Sequence, residues 1–338
     1  MKVLVVGGTG VTGALVRSHL EDLGWEVDTC SRHASDDPHH RVLDLGGSRA
    51  AVVDVLRDYD WVVACLGPFE RWQGKVARLC AEAHTNYLDV NDSIDAREDI
   101  LAVDAEGAGI VAMTGAGLCP GISTALMMGD AGAPVRSVRS VLHIGAGQPA
   151  GAASVQSMFA TLHADYRVLQ RGKVRTCSQE PVTDAGLVGY ECPDLGSVGT
   201  LFPGIDSYGY YVNFAALSNE TVAKLQTKRL FTLPLLSGIL ARMAAAGTTK
   251  RAVEANAPEP ATLEVTTETD KTRTRRVLSG LPSYRLTALA AATSVRHLVE
   301  TSCAPGMYEA ARLPALAGKL LDACRSAGAT VTVSQETL

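Results

Sequence analysis

The apolar run Lys2-Val3-Leu4-Val5-Val6 leads directly into Gly7-Gly8-Thr9-Gly10-Val11-Thr12-Gly13, and helical periodicity follows at once. Strand, tight turn and helix are thus fused in the first two dozen residues. Gly8, Gly10 and Gly13 have the Gly-x-Gly-x-x-Gly spacing, a weak signal alone that gains force from this context. Glycine allows the turn and lets backbone come close to a pyrophosphate, whose charge then meets free N–H groups and the positive end of a helix. The competing reading is a strand-to-helix turn that holds nothing.

Short apolar runs at 2–6, 26–30, 42–43, 61–65, 86–90 and 110–113 alternate with helical stretches at 11–23, 48–57, 72–83 and 94–105. That rhythm predicts six parallel strands joined by crossover helices. After a helix over 121–130 the pattern becomes mixed, with a strand over 135–144, a loop over 145–149, a loop over 248–260, and a hairpin of 262–267 and 272–278 around Asp270-Lys271. Helices at 286–299 and 313–323 and a short strand at 330–333 follow. The expected fold is α/β: an N-terminal Rossmann doubly wound parallel sheet over 1–130, completed by about 286–338, with an inserted mixed α/β second domain over 131–285.

A length of 338 residues suits two domains, and 46% hydrophobic with 20% charged residues suits a globular body. The net charge of -5 and the lack of a long basic block argue against nucleic acid. The eight cysteines form no Cys-x-x-Cys pair and have no histidine at ligand spacing, so neither a disulfide framework nor a metal site is expected, and reduced thiols in a cytoplasm fit. The N-terminus lacks the pattern of a secretory leader. In the most apolar stretch, 230–247, Pro234, Ser237, Gly238 and Arg242 interrupt the run, which favours a buried or subunit-contact helix over a membrane span.

Candidate binding residues follow from the strand ends, where open α/β sheets hold ligands. An NAD site normally has Asp or Glu at the end of the second strand; here that strand ends in Cys30-Ser31-Arg32. A hydroxyl and a guanidinium suit a 2′-phosphate, which favours NADP(H) as cofactor. Asp28, two residues before Cys30, is expected to point elsewhere, and His33 is either a helper or an exposed loop residue. Asp44 and Leu45 border the adenine or form a surface turn. Leu66, Gly67, Pro68 and Phe69 run past the nicotinamide or simply end a strand on a core aromatic. Arg71 is a candidate for a substrate carboxylate, with a solvated helix-start charge as the alternative.

At the end of the fifth strand, Asp89 and Asp92 are the candidate catalytic carboxylates and Asn91 a candidate substrate contact; helix capping is the plainer role for either Asp. Cys119 and Pro120 are placed for substrate contact, although nothing near Cys119 suggests an activated thiolate. His143 reads as a strand residue. Tyr208, Tyr210, Tyr211 and Asn213 either reach a cleft or cover a sheet.

Several segments together resemble the saccharopine dehydrogenase-like (saccharopine reductase-type) family: the Gly7 to Gly13 turn, Gly67-Pro68-Phe69, Asn86-Tyr87-Leu88-Asp89, Gly117-Leu118-Cys119-Pro120-Gly121, Gly145-Ala146-Gly147-Gln148-Pro149, Leu286-Thr287-Ala288 and Ala304-Pro305-Gly306-Met307-Tyr308. The resemblance spans nearly the whole chain. It implies NADP(H)-dependent oxidoreduction, often at a carbon–nitrogen bond, substrate held between the Rossmann domain and the inserted domain, and a homodimer built through the second domain's sheet. The second domain is short for a saccharopine-forming enzyme, and Phe69 stands where some relatives have an aromatic hydroxyl. The expected activity is therefore reduction of an imine (C=N) or carbonyl of an amino-acid-like small molecule. The alternatives are an enoyl (C=C) reductase for a lipid or polyketide chain, using an apolar channel over 230–240, and a non-catalytic NADP(H) sensor.

Overall fold

The computed structural model describes residues 1–149, 155, 161–180, 182, 186–214, 218–227 and 258–338. The helix expected over 230–247 and nearly all of the loop expected over 248–260 lie outside the described residues. The chain divides into two compact units, each made of two separate pieces: 1–125 with 284–323, and 126–283 with 324–338.

The first unit is a parallel sheet. Strands β1 (Lys2–Val6), β2 (Glu26–Ser31), β3 (His40–Val42), β4 (Trp61–Ala64), β5 (Asn86–Asp89) and β6 (Val111–Met113) lie in the order β6-β5-β4-β1-β2-β3. This is the doubly wound arrangement, with the order reversing between β1 and β4. A seventh strand, Gly306–Tyr308, pairs in parallel with β6, so the expectation of six falls short by one. Three residues with a glycine carry no periodicity that would reveal a strand.

Continuous apolar runs in β1 and β4 follow from burial on both faces. Leu4, Val6, Val62 and Ala64 join one core cluster with residues of helices α2 (Arg49–Leu56), α3 (Phe69–Ala83) and α4 (Ile94–Leu101). Val3, Val5 and Val63 alternate to the opposite face and are also buried, while helix α1 (Val11–Glu21) buries Gly13, Val16 and Leu20. A largely buried bidentate pair, Arg97 to Glu309 at 2.6 and 2.8 Å, ties α4 to the residue just beyond the seventh strand.

Beyond helix α5 (Ile122–Met127), the second unit is a mixed sheet. Strand β7 (Ser137–Ile144) pairs in parallel with β11 (Ser207–Phe214) and antiparallel with β12 (Thr262–Glu268), which forms the expected hairpin with β13 (Thr272–Ser279). Strands β8 (Tyr166–Gln170) and β9 (Lys173–Cys177) extend one side and β10 (Val188–Tyr190) pairs with β11. Tyr208 and Tyr210 are buried on β11, and His143 is a β7 residue.

The chain closes with helix α7 (Pro314–Ser326), which follows the long helix α6 (Ser283–Glu300), and strand β15 (Thr330–Thr337), counting Gly306–Tyr308 as β14. Here an expectation is corrected. β15 pairs with β13 in the second sheet, so residues 324–338 complete the second unit and only 284–323 complete the first. Spacing had indicated a strand, but a strand's period does not identify its partner. Among the described residues, no helix is long and apolar enough to cross a membrane, no His/Cys/Asp/Glu group could hold a metal, and the eight cysteines form no disulfide.

Candidate cofactor and active site

The glycine turn uses each glycine differently. Gly7 has φ +81°, a conformation that disfavours a side chain, and a Cβ there would sit 3.0 Å from the Cys65–Leu66 backbone. At Gly8 a Cβ would meet the Thr29 methyl at 2.4 Å, and at Gly13 the Gly7 carbonyl at 2.2 Å. Gly10 is the least crowded of the four, with only the Gly7 oxygen at 3.3 Å. It is also the N-cap of α1, whose first turn has neither a capping side chain nor an acidic residue. The helix dipole and its first amides therefore face an exposed segment, Thr9-Gly10-Val11, made of backbone that an anion can approach.

The end of β2 carries no carboxylate. Asp28 is buried on the strand and accepts hydrogen bonds from the Tyr59 hydroxyl at 2.7 Å, Arg41 Nε at 3.0 Å and His39 Nδ1 at 3.2 Å. Burial opposes ionisation, but these three donors outweigh it and hold the carboxyl below its usual range. Ser31 is more occupied than its sequence position suggests. Its hydroxyl donates to the His33 carbonyl at 2.9 Å, accepts the His33 amide at 3.2 Å and lies 3.0 Å from His40 Nε2. It shapes the turn that presents Arg32, which is exposed and pairs with no described residue.

The strand-end turns near β4 and β5 are also built from inside. Gln73, fully buried on α3, donates to the carbonyls of Ala64 at 3.2 Å and Leu66 at 3.1 Å, and its own Oε1 accepts the Tyr87 hydroxyl at 2.9 Å. This holds the path of Leu66, Gly67 and Pro68, while Phe69 packs partly on the core and opens α3. Arg71 is exposed and lies over the Trp72 ring at 4.8 Å. Asp44 is an exposed turn residue accepting the Gly46 amide at 2.9 Å. The Leu45 side chain beside it is buried and packs into the core cluster.

Asp89 ends β5 with no exposed surface. One oxygen, Oδ1, accepts the Asn91 amide at 2.9 Å, the Gly115 amide at 2.8 Å and the Thr114 hydroxyl at 3.0 Å; the other, Oδ2, has no partner. Burial outweighs these donors and raises the carboxyl to about 6. The same burial, aided by Asp89, lifts the Cys65 thiol to about 12, so no thiolate forms there near neutrality. Asp92 is an exposed residue whose carboxyl lies in crowded surroundings, and lost solvation followed by the neighbouring Glu70 carboxylate raises it to about 7.

Three substrate candidates turn inward. Asn91 is buried, with Nδ2 donating to the Ser93 carbonyl at 2.8 Å and Oδ1 accepting the Ser93 amide at 2.9 Å, so it serves the turn into α4. Cys119 and Pro120 are also buried, in a turn where Gly121 has φ +112° and a Cβ would meet the Gly117 oxygen at 2.3 Å. Sequence reasoning missed Gln73 and His40. Each is a polar residue in a stretch that reads as ordinary helix or loop, and only the fold brings it to its partners.

No family model and no curated protein matches the chain. Among solved structures, it resembles an amine dehydrogenase from Mycobacterium smegmatis at 12% identity, with TM-score 0.52 and 93% and 96% of the two chains covered. It also resembles a multiply substituted meso-dapdh with DAP from Clostridium tetani, at 13% identity, TM-score 0.54 and coverage of 94% and 95%. The likeness is one of fold. Both units take part in it.

Proposed function

We propose that this chain is an NADP(H)-dependent oxidoreductase that reduces an imine or carbonyl of an amino-acid-like small molecule. The observation that carries the cofactor reading is the exposed glycine turn at the start of α1, uncapped by any side chain, beside a β2 end that offers Arg32 and no carboxylate. The Gly7 to Gly13 turn would hold the pyrophosphate, Arg32 the 2′-phosphate, and the Leu66 to Phe69 turn the nicotinamide side. When bound, the reduced nicotinamide supplies a hydride. The choice of an imine or carbonyl draws on the amine dehydrogenase and the meso-dapdh, whose two-unit fold this chain shares, and on the motif resemblance described above.

The protein's contribution to the reaction is orientation and proton supply. Asp92, exposed and raised to about 7, is the group able to exchange a proton with a substrate near neutrality. Asp89, enclosed and bonded to three donors, holds the β5 end and the turn at Gly115 in position. Arg71 is suited to a substrate carboxylate, since it is exposed and no described acidic residue forms an ion pair with it.

Titration of nicotinamide fluorescence with NADPH and NADH tests the cofactor reading. NADPH is expected to bind at least tenfold more tightly, and Arg32→Ala to remove most of that preference. Equal affinities in the unaltered protein would overturn it. A stopped-flow screen of imines and ketones, each with and without an α-carboxylate, tests the substrate class. Asp92→Asn should lower kcat with little change in NADPH affinity, and activity of the unaltered protein should fall as pH rises above about 7, because the acid form is lost there. A pH profile unchanged by the substitution would remove Asp92 from the reaction.

A further inference from the structure

His40 stands on the short strand β3, directly opposite Thr29 of β2. Its Nδ1 lies 2.9 Å from the Thr29 hydroxyl, and its Nε2 lies 3.0 Å from the Ser31 hydroxyl and 3.1 Å from the His33 carbonyl. A carbonyl only accepts, which assigns a proton to Nε2; in the neutral ring Nδ1 then accepts from Thr29. Every polar atom of the ring is used.

Thr29 continues the connection in the other direction. It is almost fully buried, and its methyl fills the space where a side chain at Gly8 would be. Contacts therefore run unbroken from the glycine turn through Thr29 and His40 to Ser31 and the His33 backbone, with Arg32 lying between the last two. The loop that follows is held from α1, where Arg17 pairs with Asp37, and Asp37 also accepts the His39 amide at 2.9 Å.

We infer that His40 is the positioning residue that sets cofactor preference, by fixing the Ser31-Arg32-His33 turn at a constant offset from the glycine turn. The inference rests on the proposed NADP(H) reading. Under it, a dinucleotide bearing a 2′-phosphate must be met by two anion-binding points at once, the start of α1 and Arg32, and misplacing one of them sacrifices the discrimination while sparing the shared pyrophosphate contact. Ser31, whose hydroxyl is fully engaged, acts on the cofactor through this same turn.

The test uses the full chain and the dissociation constants of NADPH and NADH. His40→Ala should weaken NADPH at least tenfold and change NADH less than threefold. His40→Gln, whose amide nitrogen can reach the Nε2 position, should recover part of the loss. Thr29→Val keeps the methyl on Gly8 and removes only the hydroxyl; it should also lower NADPH affinity selectively, and it remains informative if His40→Ala does not fold. Preference retained in both Thr29→Val and His40→Gln, or equal losses for the two nucleotides, would overturn the inference. Arg32→Ala separates the two levels. If Arg32→Ala abolishes a preference that the His40 and Thr29 variants keep, the NADP(H) reading stands and the role of His40 falls; if the unaltered protein shows no preference, the reading itself falls.

Discussion

Asp89 shows how one side chain can be costly to the fold and useful to the site. Its Oδ1 has three donors while Oδ2 has none and is sealed from water. The folded carboxyl keeps its proton to about pH 6, whereas an unfolded one releases it near 3.8. Stability is therefore lost as pH rises through that interval and is level above it, with a ceiling of ~3 kcal/mol. Asp89→Asn cannot ionise, so its stability relative to the unaltered protein should climb between about pH 4 and pH 6. Urea unfolding at several pH values measures this, and parallel profiles would refute it. At this scale the sequence was a partial guide. Asp89, Arg32 and the glycines could be picked out from their places at strand ends, since period and position place a residue there. The inward turn of Asn91 and the committed hydroxyl of Ser31 could not, because local hydrogen bonds that compete for a polar group leave no trace in spacing.

Elements built on close contact should fail in specific ways. Gly13→Ala would drive a methyl into the Gly7 oxygen, so cofactor affinity and thermal stability should fall together, the latter by roughly 2 kcal/mol or more. Unchanged binding would mean that the turn is looser than described. Arg97→Ala strands the Glu309 carboxylate and is expected to cost about 3 kcal/mol in urea unfolding, while the double replacement Arg97→Met with Glu309→Leu should cost much less. The long buried strands and the β12–β13 hairpin were legible because their apolar periods are strong. β8, β9, β10 and the three-residue strand beside β6 were not, because short strands draw their stability from their partners in the sheet and carry little period of their own.

The whole molecule is threaded as two discontinuous units, which the change of pattern near residue 130 and the return near 286 made partly visible. The final exchange was hidden: β15 looks like any amphipathic strand until its pairing with β13 is known. Truncation before Thr330 should speed amide exchange in β12 and β13 while leaving β1, β4 and β5 protected, and uniform loss of protection across both sheets would argue against separate units. The threading also bears on synthesis. Residues 1–113 can form the central six strands soon after leaving the ribosome, yet the outer edge of β6 stays bare until Gly306–Tyr308 arrives almost two hundred residues later, and β13 waits in the same way for β15. Such late completion makes for slow maturation and two transient adhesive edges, so a nascent chain of this design has a greater need of chaperone shelter than the finished sheets suggest.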